Sequence, residues 1–180
     1  HFVALLGVVM IEILVTWRKG IVCFLLTLIL SLPLLAQAAT QDEYGRYHAL
    51  VIGNNDYAHL PNLETAISDA AATAELLQSK YGFEVTLLLN ADRGRILTAV
   101  NRLRTELTTK DRLLIYYAGH GSLDRETDTG YWLPVDAKPE DDTNWIANES
   151  LTRHLRAMRA RHVMVVADSC FSGTLTRAAD

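Results

Sequence analysis

Four short apolar runs, each closed by glycine or a small polar residue, alternate between residues 47 and 168 with stretches whose apolar residues recur every three or four positions. Tyr47 to Gly53 reads as a buried strand. Asn62 to Lys80 carries Leu63, Ala66, Ile67, Ala70, Ala74 and Leu77 on one face, which predicts a helix, and Gly82 follows its end. Phe83 to Leu89 predicts a second strand. Asp92 suits the N-cap of a helix with Ile96, Leu97, Val100, Leu103 and Leu107 along one side. Arg112 to Ala118 predicts a third strand, followed by Gly119-His120-Gly121. The next 26 or so residues are polar and read as a loop around Tyr131-Trp132-Leu133-Pro134. Asn148 to Arg159 predicts a third amphipathic helix and His162 to Ala167 a fourth strand. Strands separated by helices pair in parallel, and a parallel sheet is covered on both faces. A four-stranded sheet keeps an open edge, so a truncated C-terminal end is expected.

Residues 1–38 are set apart by composition. Their charges are Glu12, Arg18 and Lys19, and Ile21 to Leu35 has none. A basic flank, an apolar run and the small-residue end Ala36-Gln37-Ala38 are the parts of a signal peptide, cut after Ala38. The competing expectation is an uncleaved membrane anchor, although the 15 residues from Ile21 to Leu35 fall short of the roughly 20 a span needs. Because the chain begins with His1, Met10 is an alternative start. Either reading puts the rest outside the cytoplasm. The expected organisation is a leader or anchor over 1–38, a short linker over 39–46 and a catalytic domain over 47–180.

The whole chain has 17 Lys and Arg against 21 Asp and Glu; removing the leader leaves 15 against 20, a net charge of −5. Such a domain lacks the positive field that nucleic-acid binding needs. Of the two cysteines, Cys23 falls in the leader, so Cys170 is a lone thiol with no internal disulfide partner.

Parallel sheets carry their functional residues at the carboxyl ends of the strands. Here those ends read Gly53-Asn54-Asn55-Asp56, Gly119-His120-Gly121 and Asp168-Ser169-Cys170. A thiol and an imidazole therefore emerge on one edge from different strands, the minimum for nucleophilic catalysis. The imidazole takes the thiol proton and the thiolate attacks a carbonyl. Gly121 admits substrate backbone, and its N–H with that of Cys170 is suited to an oxyanion hole.

Tyr117-Ala118-Gly119-His120-Gly121 and Asp168-Ser169-Cys170-Phe171-Ser172-Gly173 resemble the two catalytic motifs of the caspase-like cysteine peptidases, most closely the bacterial branch and the metacaspases. Val51-Ile52-Gly53-Asn54-Asn55-Asp56-Tyr57, Leu60-Pro61-Asn62-Leu63 and Asp69-Ala70 resemble that family's first strand and first helix. The separation of 50 residues between His120 and Cys170 matches the spacing of about 50 in caspases. The resemblance implies a three-layer α/β/α sandwich with a mostly parallel sheet, the caspase-hemoglobinase fold, lacking its C-terminal strands. It implies Cys170 as nucleophile and His120 as general base. It also implies that Asp69 and Asp168 line a pocket for Arg or Lys at P1, the residue before the scissile bond. Paired carboxylates attract a guanidinium and repel an acidic side chain.

The competing function is a caspase-like module without turnover, acting as a partner-binding scaffold. Disulfide exchange is disfavoured by the lack of a resolving cysteine. The sequence requires no cofactor and gives no support to calcium activation: Asp136 to Asp142 lacks the EF-hand pattern and reads as a solvated acidic loop. No metal ligand set is expected, and His48, His59, His154 and His162 read as structural or exposed. The expected partners are protein or peptide substrates with a basic P1, with no nucleic acid and membrane contact only through the N-terminal segment.

Overall fold

The computed structural model describes residues 45–169. The leader with Cys23 and its Ala36-Gln37-Ala38 end, and the expected nucleophile Cys170, lie outside the described residues.

The elements run β1 (Tyr47–Gly53), α1 (Ala66–Tyr81), β2 (Glu84–Leu89), α2 (Arg93–Glu106), β3 (Arg112–Ala118), β4 (Gly121–Asp124), β5 (Thr129–Trp132), β6 (Ile146–Ala147), α3 (Asn148–Arg156) and β7 (His162–Asp168). The main sheet has the order β2-β1-β3-β7, and each pair is parallel. Alternate residues of β1 serve opposite faces. Ala49 and Val51 pack with Ala70 and Ala74 of α1. Leu50 and Ile52 pack in a larger cluster with Ile96, Val100 and Leu103 of α2 and Leu151 of α3. One helix on one face and two on the other make the expected α/β/α sandwich. Among the described residues β7 pairs only with β3, and Met164 is 62% exposed. Among the described residues no helix is long and apolar enough to cross a membrane.

Two departures from the sequence reading matter. The stretch read as a loop after Gly121 holds a second, antiparallel sheet of order β4-β5-β6. It is anchored by Trp132, 2% exposed, whose ring stacks on Tyr117 at 4.4 Å and 5°. Helix α1 begins at Ala66, not Asn62. The Asn62 side chain instead accepts the Tyr57 N–H, and the Leu63 N–H bonds the Asn55 carbonyl. Those bonds hold residues 62–65 as a loop wall rather than a first helical turn.

Asp111 is the main polar anchor at the opposite end of the sheet. Its buried carboxylate accepts the Arg46 N–H at 2.8 Å, the Thr108 N–H at 2.7 Å and the Thr108 hydroxyl at 2.8 Å. Burial works to raise its pKa, but the donated bonds outweigh it and hold the group below the ordinary carboxylate value. A lowered folded pKa stabilises the fold above the unfolded carboxylate pKa, and the benefit disappears as pH falls through the folded value. Asp111→Ala should cost about 2–3 kcal/mol at neutral pH by stranding two backbone donors. Denaturant melts should show the gap between wild type and variant closing only below about pH 4. A gap that stays constant to lower pH would mean the carboxylate charge is not what matters.

Candidate active site

The carboxyl ends of β1, β3 and β7 lie side by side, since Gly53 is in register with Ala118 and Ala118 with Asp168. Helix α1 closes tightly over this edge. A Cβ on Gly53 would sit 2.6 Å from the Ala66 carbonyl and from the Ala70 Cβ, so only glycine permits the approach. Asn55 fastens the helix start: its Oδ1 accepts the Ile67 N–H at 3.1 Å and its Nδ2 donates to the Glu64 carbonyl at 3.2 Å. This satisfies a helix N–H that the N-cap residue Thr65 leaves without a side-chain partner.

Asn90, just after β2, supports the loop from below. It sits in the left-handed region at φ 46°, where asparagine is tolerated. Its Oδ1 accepts the N–H groups of Asn55 and Asp56 at 2.9 and 3.0 Å, and its Nδ2 donates to Asp56 at 2.6 Å. Asn54, fully buried, accepts the Ala91 N–H at 2.8 Å.

The result is a cleft of about 340 Å³ lined by Leu63, Glu64, Thr65, Ala66, Asp69, Ala118, Gly119, His120 and Asp168. Three of the residues singled out in the sequence, His120, Asp69 and Asp168, therefore share one hollow. Glu64 joins them as a third acid that the sequence reading missed. Gly121 begins β4 opposite Trp132 and is not among the lining residues.

His120 is half-buried. Its Nε2 lies 2.8 Å from the Pro61 carbonyl oxygen. A carbonyl can only accept, so Nε2 carries the hydrogen and Nδ1 keeps the lone pair of the neutral ring. The Tyr57 ring packs against the imidazole, with centroids 4.7 Å apart. Pro61 was quoted in the sequence only as part of a motif; the acceptor is a backbone atom, which no residue type signals.

The two carboxylates act on a common point. The Tyr116 hydroxyl donates to Asp168 Oδ2 at 3.3 Å. Burial raises the Tyr116 pKa first, then the charge and hydrogen bond of Asp168, with Asp69 adding to them. The negative fields of Asp168 and Asp69 thus overlap at the Tyr116 hydroxyl.

A larger hollow of about 640 Å³ lies elsewhere, between the β4–β5 hairpin and residues 139–142. It is walled by acids, but no strand end of the parallel sheet reaches it. Among the described residues, no group of three or more His, Cys, Asp or Glu side chains is placed to hold a metal ion. The chemistry-bearing groups are gathered in the smaller cleft.

Comparison with known proteins agrees with the fold. The caspase-domain family profile matches residues 46–180. The Metacaspase-1B of Aspergillus oryzae is 31% identical over 154 residues, covering 72% of this chain and 35% of that protein. The Metacaspase-1B of Aspergillus niger is 30% identical over 154 residues, with 72% and 34% covered. The chain thus spans about a third of the length of these relatives. A crystal structure of a Geobacter sulfurreducens protein superposes with a TM-score of 0.60 at 26% identity, over 72% of this chain and 52% of that one.

Proposed function

The chain belongs to the caspase-domain family, and from that footing we propose that it is a cysteine endopeptidase using Cys170 as nucleophile and His120 as general base, cutting after Arg or Lys. The observation that carries the proposal is the sharing of one cleft by His120, Asp69 and Asp168. Cys170 follows Asp168 by two residues, and two residues of chain reach about 7 Å at most. That short connection to Asp168 is what supports assigning the thiol to this cleft.

The chemistry follows from the bonds. The Pro61 carbonyl holds Nε2–H and leaves Nδ1 as the base. The thiol gives its proton to Nδ1, and the thiolate attacks the substrate carbonyl carbon. The imidazolium that forms keeps its Nε2–H on Pro61, a role a carboxylate fills in other triads. Nδ1 then returns the proton to the leaving amine. Water hydrolyses the thioester with the same ring as base. The N–H groups of Gly121 and Cys170 are the proposed donors to the oxyanion. The leader read in residues 1–38 puts this activity outside the cytoplasm.

The test is active-site labelling of the full-length protein with a peptidyl electrophile carrying Arg at P1. Stoichiometric modification of Cys170, blocked by a P1-Arg peptide, is expected. An intact, folded protein that resists the reagent while simple alkylators still reach its thiol would favour the scaffold reading.

A further inference from the structure

The backbone of His120 is gripped on both sides by phenols. Its N–H donates to the Tyr57 hydroxyl at 2.8 Å. Its carbonyl accepts the Tyr117 hydroxyl at 2.8 Å, and the same hydroxyl lies 2.9 Å from the Leu133 carbonyl. Both hydroxyls reach this position only because Gly119 has no side chain. A Cβ there would stand 2.7 Å from the Tyr117 oxygen and 2.8 Å from that of Tyr57. The two phenols come from different parts of the fold, Tyr57 from the loop after β1 and Tyr117 from β3 itself. Tyr117 is fully buried and stacked on Trp132.

We propose that Tyr57 and Tyr117 form a hydroxyl clamp that positions His120, so that its ring keeps the Nε2–H tautomer on Pro61 with Nδ1 free to act. This rests on the reading of His120 as the general base. The two tyrosines are positioning residues: they touch the base through its backbone, and Tyr57 also through its ring face. A histidine at the end of a strand has two free backbone dihedrals and two side-chain torsions. Pinning its N–H and C=O fixes the first pair, and the Tyr57 ring together with the Pro61 carbonyl fixes the second. Burial pushes the hydroxyls of both tyrosines above their ordinary pKa, so each remains a neutral phenol throughout the working range of a histidine base. The clamp therefore adds no titration of its own to that of the reacting pair.

The experiment uses Tyr57→Phe and Tyr117→Phe in the full-length protein. Tyr57→Phe keeps the ring against the imidazole and loses the hydroxyl that accepts the His120 N–H, together with its bonds to Tyr117 and Asn54. Tyr117→Phe keeps the stack on Trp132 and loses the hydroxyl that serves the His120 and Leu133 carbonyls, together with its bonds to Tyr57 and Asn54. The readouts are kcat and KM on a P1-Arg peptide, the pH dependence of kcat, and the ¹⁵N shifts of the His120 ring, assigned by their loss in His120→Ala. Each variant should lose about tenfold in kcat with KM little changed, a fraction of what removing the base costs. The His120 ring should pass from a single Nε2–H tautomer to a mixture, and the acid limb of the pH profile should move. A lower melting temperature with an unchanged tautomer and an unchanged kcat would overturn the clamp and leave the tyrosines structural. Ring shifts report on the clamp whether or not the protein turns over substrate. Absence of turnover with the tautomer behaving as described would therefore uphold the clamp and count against the peptidase reading instead.

Discussion

Cys170→Ala should abolish peptide-bond hydrolysis, leaving no measurable kcat on a substrate the wild type cleaves. The chain has only two cysteines, and Cys23 lies in the segment read as the leader. Removal of that leader would leave no second thiol to substitute. His120→Ala should fall by at least a hundredfold in kcat, the usual scale for removing a general base, with a smaller change in KM. The loss is less complete because water and a residual thiolate fraction still support slow attack. The fold decides how to read an exception. His48 is the second residue of β1 and Glu84 lies 3.5 Å from its ring. It is five residue steps from Gly53, about 17 Å at the rise of an extended chain. It cannot replace His120. His59, exposed and two residues before Pro61, is the other candidate near in sequence. Activity retained in His120→Ala and lost on further replacement of His59 would reassign the base. Full turnover by Cys170→Ala would remove the nucleophile from the mechanism altogether. Steady-state kinetics on a fluorogenic peptide, with circular dichroism to confirm folding, separates these outcomes.

The parts of the fold legible in the sequence are those with one dominant physical demand. Strands β1 and β3 are buried by layers on both sides, so their residues form continuous apolar runs ended by Gly53 and Gly119. Asp92 accepts the Arg95 N–H at 2.7 Å, as a capping aspartate should, and α2 starts where expected. The second sheet was hidden because its strands are two to four residues long. No alternation can be read over so few positions. The start of α1 was misplaced because Leu63 serves two patterns. It fits the helical spacing, yet it packs with Tyr57, Leu60 and Leu133 in a separate cluster under the cleft. At the site, strand-end position and motif brought forward His120, Asp69 and Asp168. The support beneath them was not readable. Asn90 acts from 34 residues away on Asp56, Pro61 acts through a carbonyl, and Tyr57 and Tyr117 act through hydroxyls on main-chain atoms. These are tertiary contacts with no local pattern to announce them.

Selectivity at P1 should be strongly one-sided. The cleft presents Asp69 from α1 and Asp168 from the end of β7, with Glu64 lining the same hollow, and no Lys or Arg is among its described lining residues. An arginine side chain entering there can pair in a two-pronged fashion with a carboxylate, whereas lysine offers a point charge, so Arg should be preferred modestly over Lys. Aspartate at P1 would bring a further negative charge into a field already felt at Tyr116. Such a like-charge placement costs several kcal/mol. At roughly 1.4 kcal/mol per tenfold, that separates Arg from Asp by more than a thousandfold in kcat/KM. Asp168 is the better residue to remove. It is solvent-exposed and, among the described residues, its side chain accepts only the long bond from Tyr116, so folding should tolerate Asp168→Ala. That variant should lose at least tenfold on P1-Arg substrates, about 1.4 kcal/mol, while thermal stability stays near wild type. Asp69→Ala should act in the same direction, and the double variant should cleave P1-Arg and P1-Gln peptides at similar rates. A fluorogenic panel differing only at P1, run on the full-length enzyme with and without calcium, measures all of this. Faster cleavage after Asp than after Arg would take the pocket away from Asp69 and Asp168 while leaving Cys170 and His120 as the reacting pair.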